Sequence, residues 1–363
     1  MRNLSDTINR LAAFKSMKAV QIPRAGTRLL PLADFGSNPG ALAGKIHIPS
    51  NLAAGAALVV VLHGCTQTAD GYDLSAGWSR LADELGFALL FPEQRRLNNA
   101  NLCFNWFVPE DCARDSGEAL SIRQMIGKVV EDCAIDPKRI FINGLSAGGA
   151  MTSVMLATYP ELFAGGAIIA GLPHGTATSI PEAFDRMRGH GGPSGKALQA
   201  LVERASRHAG PWPTLSILHG TADATVAVSN ADAIVEQWRG LHGLAAAPSS
   251  VVKSKNHTRK AWTKADGTEV ITQYLIDGMG HGTPISATDG VAAPFMLDVG
   301  LSSTRELAQM WKLQARDRRA RPFYKPNFTL IGDRMTSPDS AKTTGTGIRE
   351  TIEKALRSAG LLR

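Results

Sequence analysis

The chain has 363 residues, of which 44% are hydrophobic and 20% charged, a composition that fits a globular protein with a large core and excludes a disordered chain. The net charge of +7 comes from the two ends, because residues 29–314 carry 22 basic and 26 acidic side chains, and no nucleic-acid-binding signature accompanies it. No apolar run reaches the roughly 18 residues of a membrane span, and the N-terminus lacks the apolar block of a signal peptide, so we expect a cytoplasmic protein unless another route exports it.

Both ends of the chain carry apolar residues at helical spacing. Residues 1–27 are expected to form an amphipathic helix and a linker, and residues 315–363 a basic extension that ends in a helix. The apolar positions are Leu4, Ile8, Leu11 and Phe14 at one end and Ile348, Ile352 and Leu356 at the other. We expect both stripes to lie on the body of the protein, with docking on another surface as the alternative.

Strand and helix patterns alternate along residues 28–314. Short apolar runs typical of buried parallel strands are ALVVVLHG (57–64), FALLFPE (87–93), RIFING (139–144), GGAIIAG (165–171), TLSILHG (214–220) and VITQYLIDG (270–278). Helical patterns between them cover residues 78–85, 118–133, 150–159 and 231–242. The alternation predicts an α/β fold with a mainly parallel sheet and helices on both faces. Residues 174–210, rich in Gly, Pro and His, are expected to form an irregular insertion.

The segments that follow these strands are expected to lie together. Ligands of an open parallel sheet bind at the carboxyl ends of its strands, so all six segments should share one edge. They read HGCTQ (63–67), QRRLNNANLCFNWF (94–107), GLSAGG (144–149), GLPHG (171–175), HGTADATV (219–226) and GMGHG (278–282). They contain Ser146, Asp223 and His281 in that chain order.

The stretch INGLSAGGA (142–150) places Ser146 in a G-x-S-x-G pattern between a predicted strand and a predicted helix. This arrangement is typical of the nucleophile elbow, in which a tight turn raises the serine hydroxyl above the sheet. A serine nucleophile needs a base, and the base needs an orienting carboxylate. We predict His281 as the base and Asp223 as the orienting acid.

The remaining histidines fit the role of base less well. His63 and His219 each precede a glycine at a strand end and are expected to brace loops through hydrogen bonds, whereas His190 and His208 lie in the insertion. No H-E-x-x-H, phosphate-binding loop or dinucleotide-binding pattern is present in the sequence. We therefore predict no metal and no cofactor.

Two backbone N–H groups are candidates for an oxyanion hole, which acyl transfer requires. One belongs to Ala147, directly after the serine, and the other to Cys65 in the loop after the first apolar run. The alternative for the HGC stretch is a tight turn with no role in the chemistry.

The four cysteines are too few for a disulfide scaffold. Cys65 and Cys103 both fall in loops at the predicted edge, whereas Cys112 and Cys133 flank most of a helix and lie beyond disulfide reach. If a bridge forms, we expect it between Cys65 and Cys103, and a reducing cytoplasm can keep these two thiols open.

Seven motifs taken in order resemble the poly(3-hydroxybutyrate) depolymerase-type esterases of the α/β-hydrolase superfamily, over roughly residues 28–314. They are LHGCTQ, CFNWF, GEALSIRQMI, GLSAGGAM, GLPHG, HGTAD and GMGHG. The resemblance implies an α/β-hydrolase fold, an acyl-serine mechanism with Ser146, His281 and Asp223 in the roles given above, and a hydroxyalkanoate or similar ester as substrate. Trp106, in CFNWF, is expected either to line an apolar acyl pocket or to be a core aromatic that pins its loop.

The resemblance leaves the substrate open. Secreted depolymerases of this kind carry a signal peptide and usually a polymer-binding module, and this sequence shows neither. Soluble oligomers, polyester granules inside the cell and other small esters are therefore candidates beside bulk polymer. A carbohydrate acyl esterase of the acetylxylan or feruloyl type is the alternative, and a non-catalytic granule-binding protein on a hydrolase scaffold is a third, which the complete triad disfavours.

Overall fold

The computed structural model describes residues 27–314. The helix and linker expected at residues 1–27 lie outside the described residues apart from Thr27, and the basic extension expected at 315–363 lies outside them entirely. Both therefore stay predictions, as does the placement of their apolar stripes on the body.

A ten-stranded sheet forms the centre of the described region. Its strands are β1 Leu30–Leu32, β2 Ala43–His47, β3 Leu58–Leu62, β4 Ala88–Glu93, β5 Ile140–Leu145, β6 Gly165–Ile169, β7 Thr214–Gly220, β8 Ser250–Lys253, β9 His257–Thr263 and β10 Glu269–Ile276. The spatial order is β1-β2-β4-β3-β5-β6-β7-β10-β9-β8. Strands β3 to β7 and β10 pair in parallel, whereas β1, β2, β8 and β9 pair antiparallel at the two edges. The six parallel strands are the six apolar runs of the sequence, so the mainly parallel sheet is confirmed.

Helices cover both faces of this sheet. They are α1 Ala69–Ala76, α2 Trp78–Leu85, α3 Pro109–Cys112, α4 Gly117–Asp132, α5 Ala147–Thr158, α6 Ile180–Met187, α7 Lys196–Ala205, α8 Ser229–Arg239 and α9 Ser303–Met310. Successive side chains of β3 alternate between two core clusters, one shared with α4, α5 and α8 and the other with α1, α2 and α9. None of these helices is long and apolar enough to cross a membrane.

The segment 174–210 is more regular than its composition indicated, and the expectation of an irregular insertion is wrong in this respect. Helices α6 and α7 both lie within it, and they bury Ala183, Leu198 and Val202. The glycines that suggested irregularity are concentrated between the two helices, where four of them adopt positive φ. The Gly, Pro and His content of the whole segment therefore gives no indication of its two short amphipathic helices.

A small second sheet follows the predicted base, His281, along the chain. Its two parallel strands are β11 Thr283–Ile285, which begins two residues after His281, and β12 Met296–Asp298. The backbone N–H of Thr283 donates to the carbonyl of Phe295 at 2.8 Å. The connection between these strands is thereby fixed next to His281.

Candidate active site

Ser146 occupies the turn between β5 and α5 with φ 57° and ψ −118°. A left-handed φ in a residue other than glycine costs on the order of 1–3 kcal/mol and persists only where its surroundings fix it. Here the Ser146 N–H donates to the carbonyl of Ile169 on the neighbouring strand β6 at 2.9 Å. The strained turn places the serine at the carboxyl edge of the central strand, as expected of a nucleophile elbow.

The two glycines of the motif allow helix α5 to approach the sheet closely. A Cβ atom on Gly148 would lie 2.5 Å from the carbonyl oxygens of Leu62 and His63, and one on Gly144 would lie 2.4 Å from the carbonyl oxygen of Gly148. No side chain fits at either position without displacing backbone. The G-x-S-x-G pattern therefore reflects backbone packing on both sides of the serine.

The structure brings the three predicted side chains into one hydrogen-bonded chain. Ser146 Oγ lies 2.9 Å from His281 Nε2, and His281 Nδ1 lies 2.7 Å from Asp223 Oδ2. Because an ionised carboxylate can only accept, Nδ1 carries the proton, and Nε2 is left to accept from the serine hydroxyl. This is the tautomer that a general base facing the serine requires.

The Asp223 carboxylate is buried and surrounded by N–H donors. Its Oδ1 accepts from the backbone N–H groups of Thr225 and Val226, each at 2.8 Å. Burial alone would raise the pKa of Asp223, but the N–H groups of His219, His281 and Val226 that face the carboxylate outweigh burial and hold the pKa well below its usual range. The carboxylate therefore stays ionised throughout the range in which a histidine titrates.

The predicted oxyanion donors lie on the two segments nearest the serine. Ala147 is the first residue of α5, so its N–H is one of the donors that a helix leaves unpaired at its N-terminus. Cys65 follows β3, and the N–H groups on either side of it are engaged with Gln67 Oε1 and the Asn101 carbonyl. Within the described residues neither the Cys65 nor the Ala147 N–H has an acceptor. Their role in catalysis stays a prediction.

A disulfide and a buried polar network hold the loop that contains Cys65. Cys65 is bonded to Cys103, which confirms the expected pairing. Gln94 Nε2 donates to the Cys103 carbonyl at 3.0 Å and also to the carboxyl of Glu118, which accepts the Asn105 N–H at 2.9 Å. Burial raises the pKa of Glu118 to about 8 against the opposing effect of these donors. The other cysteines, Cys112 and Cys133, are free thiols.

The family assignment follows from comparison with known proteins. A family model described as esterase PHB depolymerase matches residues 44–262. The chain belongs to this family. It is therefore a carboxylic ester hydrolase of the poly(3-hydroxybutyrate) depolymerase type, and the resemblance seen in the sequence is confirmed.

Individual relatives of this esterase fall into two groups. It is 43% identical over 289 residues to poly(3-hydroxyalkanoate) depolymerase C of Paucimonas lemoignei, covering 78% of this chain and 70% of the relative. It is 31% identical over 284 residues to an acetylxylan esterase of Coprinopsis cinerea, covering 76% and 74%. The solved acetyl xylan esterase of Aspergillus awamori superposes with a TM-score of 0.68 at 24% identity, covering 78% of this chain and 99% of that one, and so supports the α/β-hydrolase fold.

Two side chains of the esterase bear on its substrate site. Trp106 is only 8% exposed, belongs to the core cluster that contains α5 and packs edge-to-face on Phe107, so its role in an acyl pocket stays a prediction. Phe295, which the sequence analysis missed, places its ring edge-to-face with that of His281, with 6.0 Å between centroids. Only the position of its loop just after the GMGHG motif could have indicated it.

The described part of the esterase offers no obvious place for a metal. Within residues 27–314 no three or more His, Cys, Asp or Glu side chains are grouped so that they could hold an ion. Among the histidines set aside in the sequence, His63 has both ring nitrogens hydrogen-bonded. His63 Nδ1 bonds to the Gly64 carbonyl at 2.7 Å, and its Nε2 accepts the Gln94 N–H at 3.1 Å.

Proposed function

We propose that this esterase cleaves short hydroxyalkanoate esters through an acyl-serine intermediate. The observation that carries the proposal is the continuous chain from Ser146 Oγ to His281 Nε2 at 2.9 Å and from His281 Nδ1 to Asp223 Oδ2 at 2.7 Å. It supplies a nucleophile, a base and an orienting carboxylate that are hydrogen-bonded to one another before substrate binds.

In the first half of the reaction, His281 Nε2 takes the proton of Ser146 as Oγ bonds to the ester carbonyl carbon. The carbonyl π electrons move to oxygen, and the N–H groups of Cys65 and Ala147 stabilise that negative charge. When the tetrahedral intermediate collapses, the bond to the leaving alcohol breaks and His281 returns the proton to that oxygen. Asp223 stabilises the imidazolium throughout and stays ionised.

In the second half, a water molecule repeats the sequence on the acyl-serine ester. His281 removes one proton from the water, the hydroxide oxygen bonds to the acyl carbon, and the same two N–H groups hold the oxyanion. Cleavage of the carbon–Oγ bond releases the carboxylic acid, and the proton on His281 restores the Ser146 hydroxyl. No other reactant is consumed.

Two substrate classes have support of different strength. The 43% identity to the Paucimonas lemoignei enzyme, whose name specifies poly(3-hydroxyalkanoate), supports hydroxyalkanoate esters. The half-buried ring of Phe295 also places an apolar side chain beside His281. Acetylated xylan is the second candidate because the Coprinopsis cinerea relative, at 31% identity, is named an acetylxylan esterase.

A substrate panel with a nucleophile variant tests both parts of the proposal. Wild type should hydrolyse p-nitrophenyl butyrate and hydroxybutyrate oligomers faster than acetylated xylo-oligosaccharides. Ser146→Ala removes one oxygen and should lower kcat by a factor on the order of 10⁴ to 10⁶ while the circular dichroism spectrum stays unchanged. Wild-type turnover in the folded variant would disprove the serine mechanism. Faster hydrolysis of acetylated sugars than of hydroxybutyrate oligomers would favour acetylated xylan as the substrate.

Association with polyester granules is proposed as well, whereas the cytoplasmic location stays an expectation from the sequence. Granule binding is supported by Leu97, which is 99% exposed in the loop after β4, at the edge of the sheet that holds Ser146. The full chain carrying Ser146→Ala should sediment with poly(3-hydroxybutyrate) particles, and adding Leu97→Asp should weaken that binding. Equal sedimentation of both proteins would remove Leu97 from the proposal, and no sedimentation would remove granule binding itself.

A further inference from the structure

A second histidine lies beside the acid of the triad. His219, the penultimate residue of β7, is fully buried, with 0% of its surface exposed. Its Nε2 lies 2.9 Å from the carbonyl oxygen of Val226 and 3.4 Å from Asp223 Oδ2. Both neighbours can only accept hydrogen bonds, so Nε2 carries a proton.

The second ring nitrogen of His219, Nδ1, indicates which atom of the side chain is functional. His219 Nδ1 is buried and has no hydrogen-bond partner among the described residues. Burying an unpaired polar atom carries a cost that an apolar side chain of similar size would avoid. His63 at the end of β3 differs, since both of its ring nitrogens are hydrogen-bonded. The benefit of a histidine at position 219 must therefore lie in its single Nε2–H group.

That N–H group acts on both sides of the carboxylate. It faces Asp223 Oδ2, the oxygen that also accepts the hydrogen bond from the His281 Nδ1–H group. It also binds the Val226 carbonyl, and the N–H of the same Val226 donates to Asp223 Oδ1 at 2.8 Å. Thus His219 contacts one carboxylate oxygen directly and fixes the turn that holds the other.

We propose that His219 is a positioning residue, which holds the Asp223 carboxylate opposite His281 and limits how strongly that carboxylate stabilises the protonated His281. The inference rests on the proposed serine mechanism. Among residues 27–314, the titratable side chains that contact the carboxylate are His219 from β7 and His281 from the loop after β10. Sharing Oδ2 between two donors weakens its attraction for each of them.

The proposal predicts a change in the pH profile as well as in rate. His219→Phe removes the N–H but keeps a buried ring. Because Thr225 and Val226 still hold Oδ1, the carboxylate stays near His281 and stabilises its protonated form more strongly. The acid limb of kcat/KM for p-nitrophenyl butyrate should move to higher pH by about 0.5 unit. Because the carboxylate loses one of its contacts and is oriented less firmly, plateau kcat should fall about tenfold, with KM changing less than threefold.

His242→Phe is a control for the loss of a histidine–carbonyl hydrogen bond, at a half-buried position away from the active site. Its Nε2 lies 3.2 Å from the carbonyl of Pro213, which precedes β7 at the opposite end of the sheet from Ser146. This variant loses the same kind of contact and should leave both the pH profile and kcat unchanged. His219→Gln retains a side-chain N–H and should recover part of both the rate and the acid limb.

The outcomes separate this inference from the proposed function. If Ser146→Ala keeps wild-type activity, the serine mechanism fails whatever the His219 variants do. If Ser146→Ala is inactive and His219→Phe matches His242→Phe in acid limb and kcat, His219 is a packing residue and the inference is wrong. Should His219→Phe not fold, His219→Met has similar volume, and the same two measurements on it decide the question.

Discussion

Replacing Gly148 by alanine tests whether backbone packing under the serine sets the geometry of the site. The new Cβ would lie 2.5 Å from the carbonyl oxygens of Leu62 and His63, whereas ordinary contacts are 3.4 Å or longer. Helix α5 and the end of β3 must therefore separate by about 1 Å, and that shift moves both Ser146 and the Ala147 N–H. A displacement of that size can cost about 100-fold in rate, and overpacking costs about 1–3 kcal/mol of stability.

The assay compares Gly148→Ala with Gly127→Ala in helix α4. A Cβ on Gly127 would meet no atom within 4 Å, so this alanine should add about 0.5–1 kcal/mol of stability and leave activity unchanged. Urea unfolding gives the free energies, and hydrolysis of p-nitrophenyl butyrate gives kcat and KM. If Gly148→Ala keeps wild-type kcat and stability, the close approach of α5 to β3 does not control the oxyanion donor, and the reasoning is refuted.

Three further predictions concern the triad and its support. Asp223→Asn should lower kcat about 10⁴-fold, and adding His281→Ala should cost far less than the product of the single losses; multiplicative losses in kcat would show that the two do not act together. Cys103→Ala removes a disulfide that spans 38 residues, and it should lower the free energy of unfolding in urea by about 4 kcal/mol and also lower kcat. Dithiothreitol should cause the same two losses in wild type and no further loss in the variant. Burial raises the pKa of Glu118 from 4.5 to about 8, so the free energy of unfolding should fall as pH rises across that range. Glu118→Gln cannot titrate and should make the free energy of unfolding depend less on pH between those values. An unchanged pH dependence would contradict this prediction.

The sequence was most informative where strands are buried on both faces. The six parallel strands are mostly apolar and buried, most clearly Leu58–Leu62, in which all five residues are apolar and buried. The antiparallel edge strands have no such signal. The four residues of Ser250–Lys253 are all exposed, and Ala43–His47 alternates between half-buried and buried positions over only five residues. Such strands are defined by pairing with a neighbour and not by their own composition.

The same distinction applies to the site. Ser146 directly follows β5, and Asp223 and His281 come a few residues after β7 and β10, so the sheet topology predicts that they meet at one edge. His219 was expected only to brace a loop, and its Nε2–Val226 carbonyl bond agrees with that expectation. Its approach to Asp223 depends on how the turn at 223–226 folds back, which no periodicity encodes. Phe295 reaches His281 through a loop between two three-residue strands, and the position of that loop after GMGHG is its one sequence signal.

The buried network around Glu118 explains why motifs without a catalytic side chain accompany the triad in this sequence. Glu118 comes from GEALSIRQMI, Cys103 and Asn105 from CFNWF, and Cys65 from LHGCTQ. In space, Glu118 binds the Asn105 N–H and the Gln94 amide, Gln94 binds the Cys103 carbonyl, and Cys103 is bonded to Cys65. Three separate segments therefore converge on the loop that carries one predicted oxyanion donor. A donor that must be fixed before the reaction begins needs such support, because any freedom left in the loop would have to be removed in the transition state.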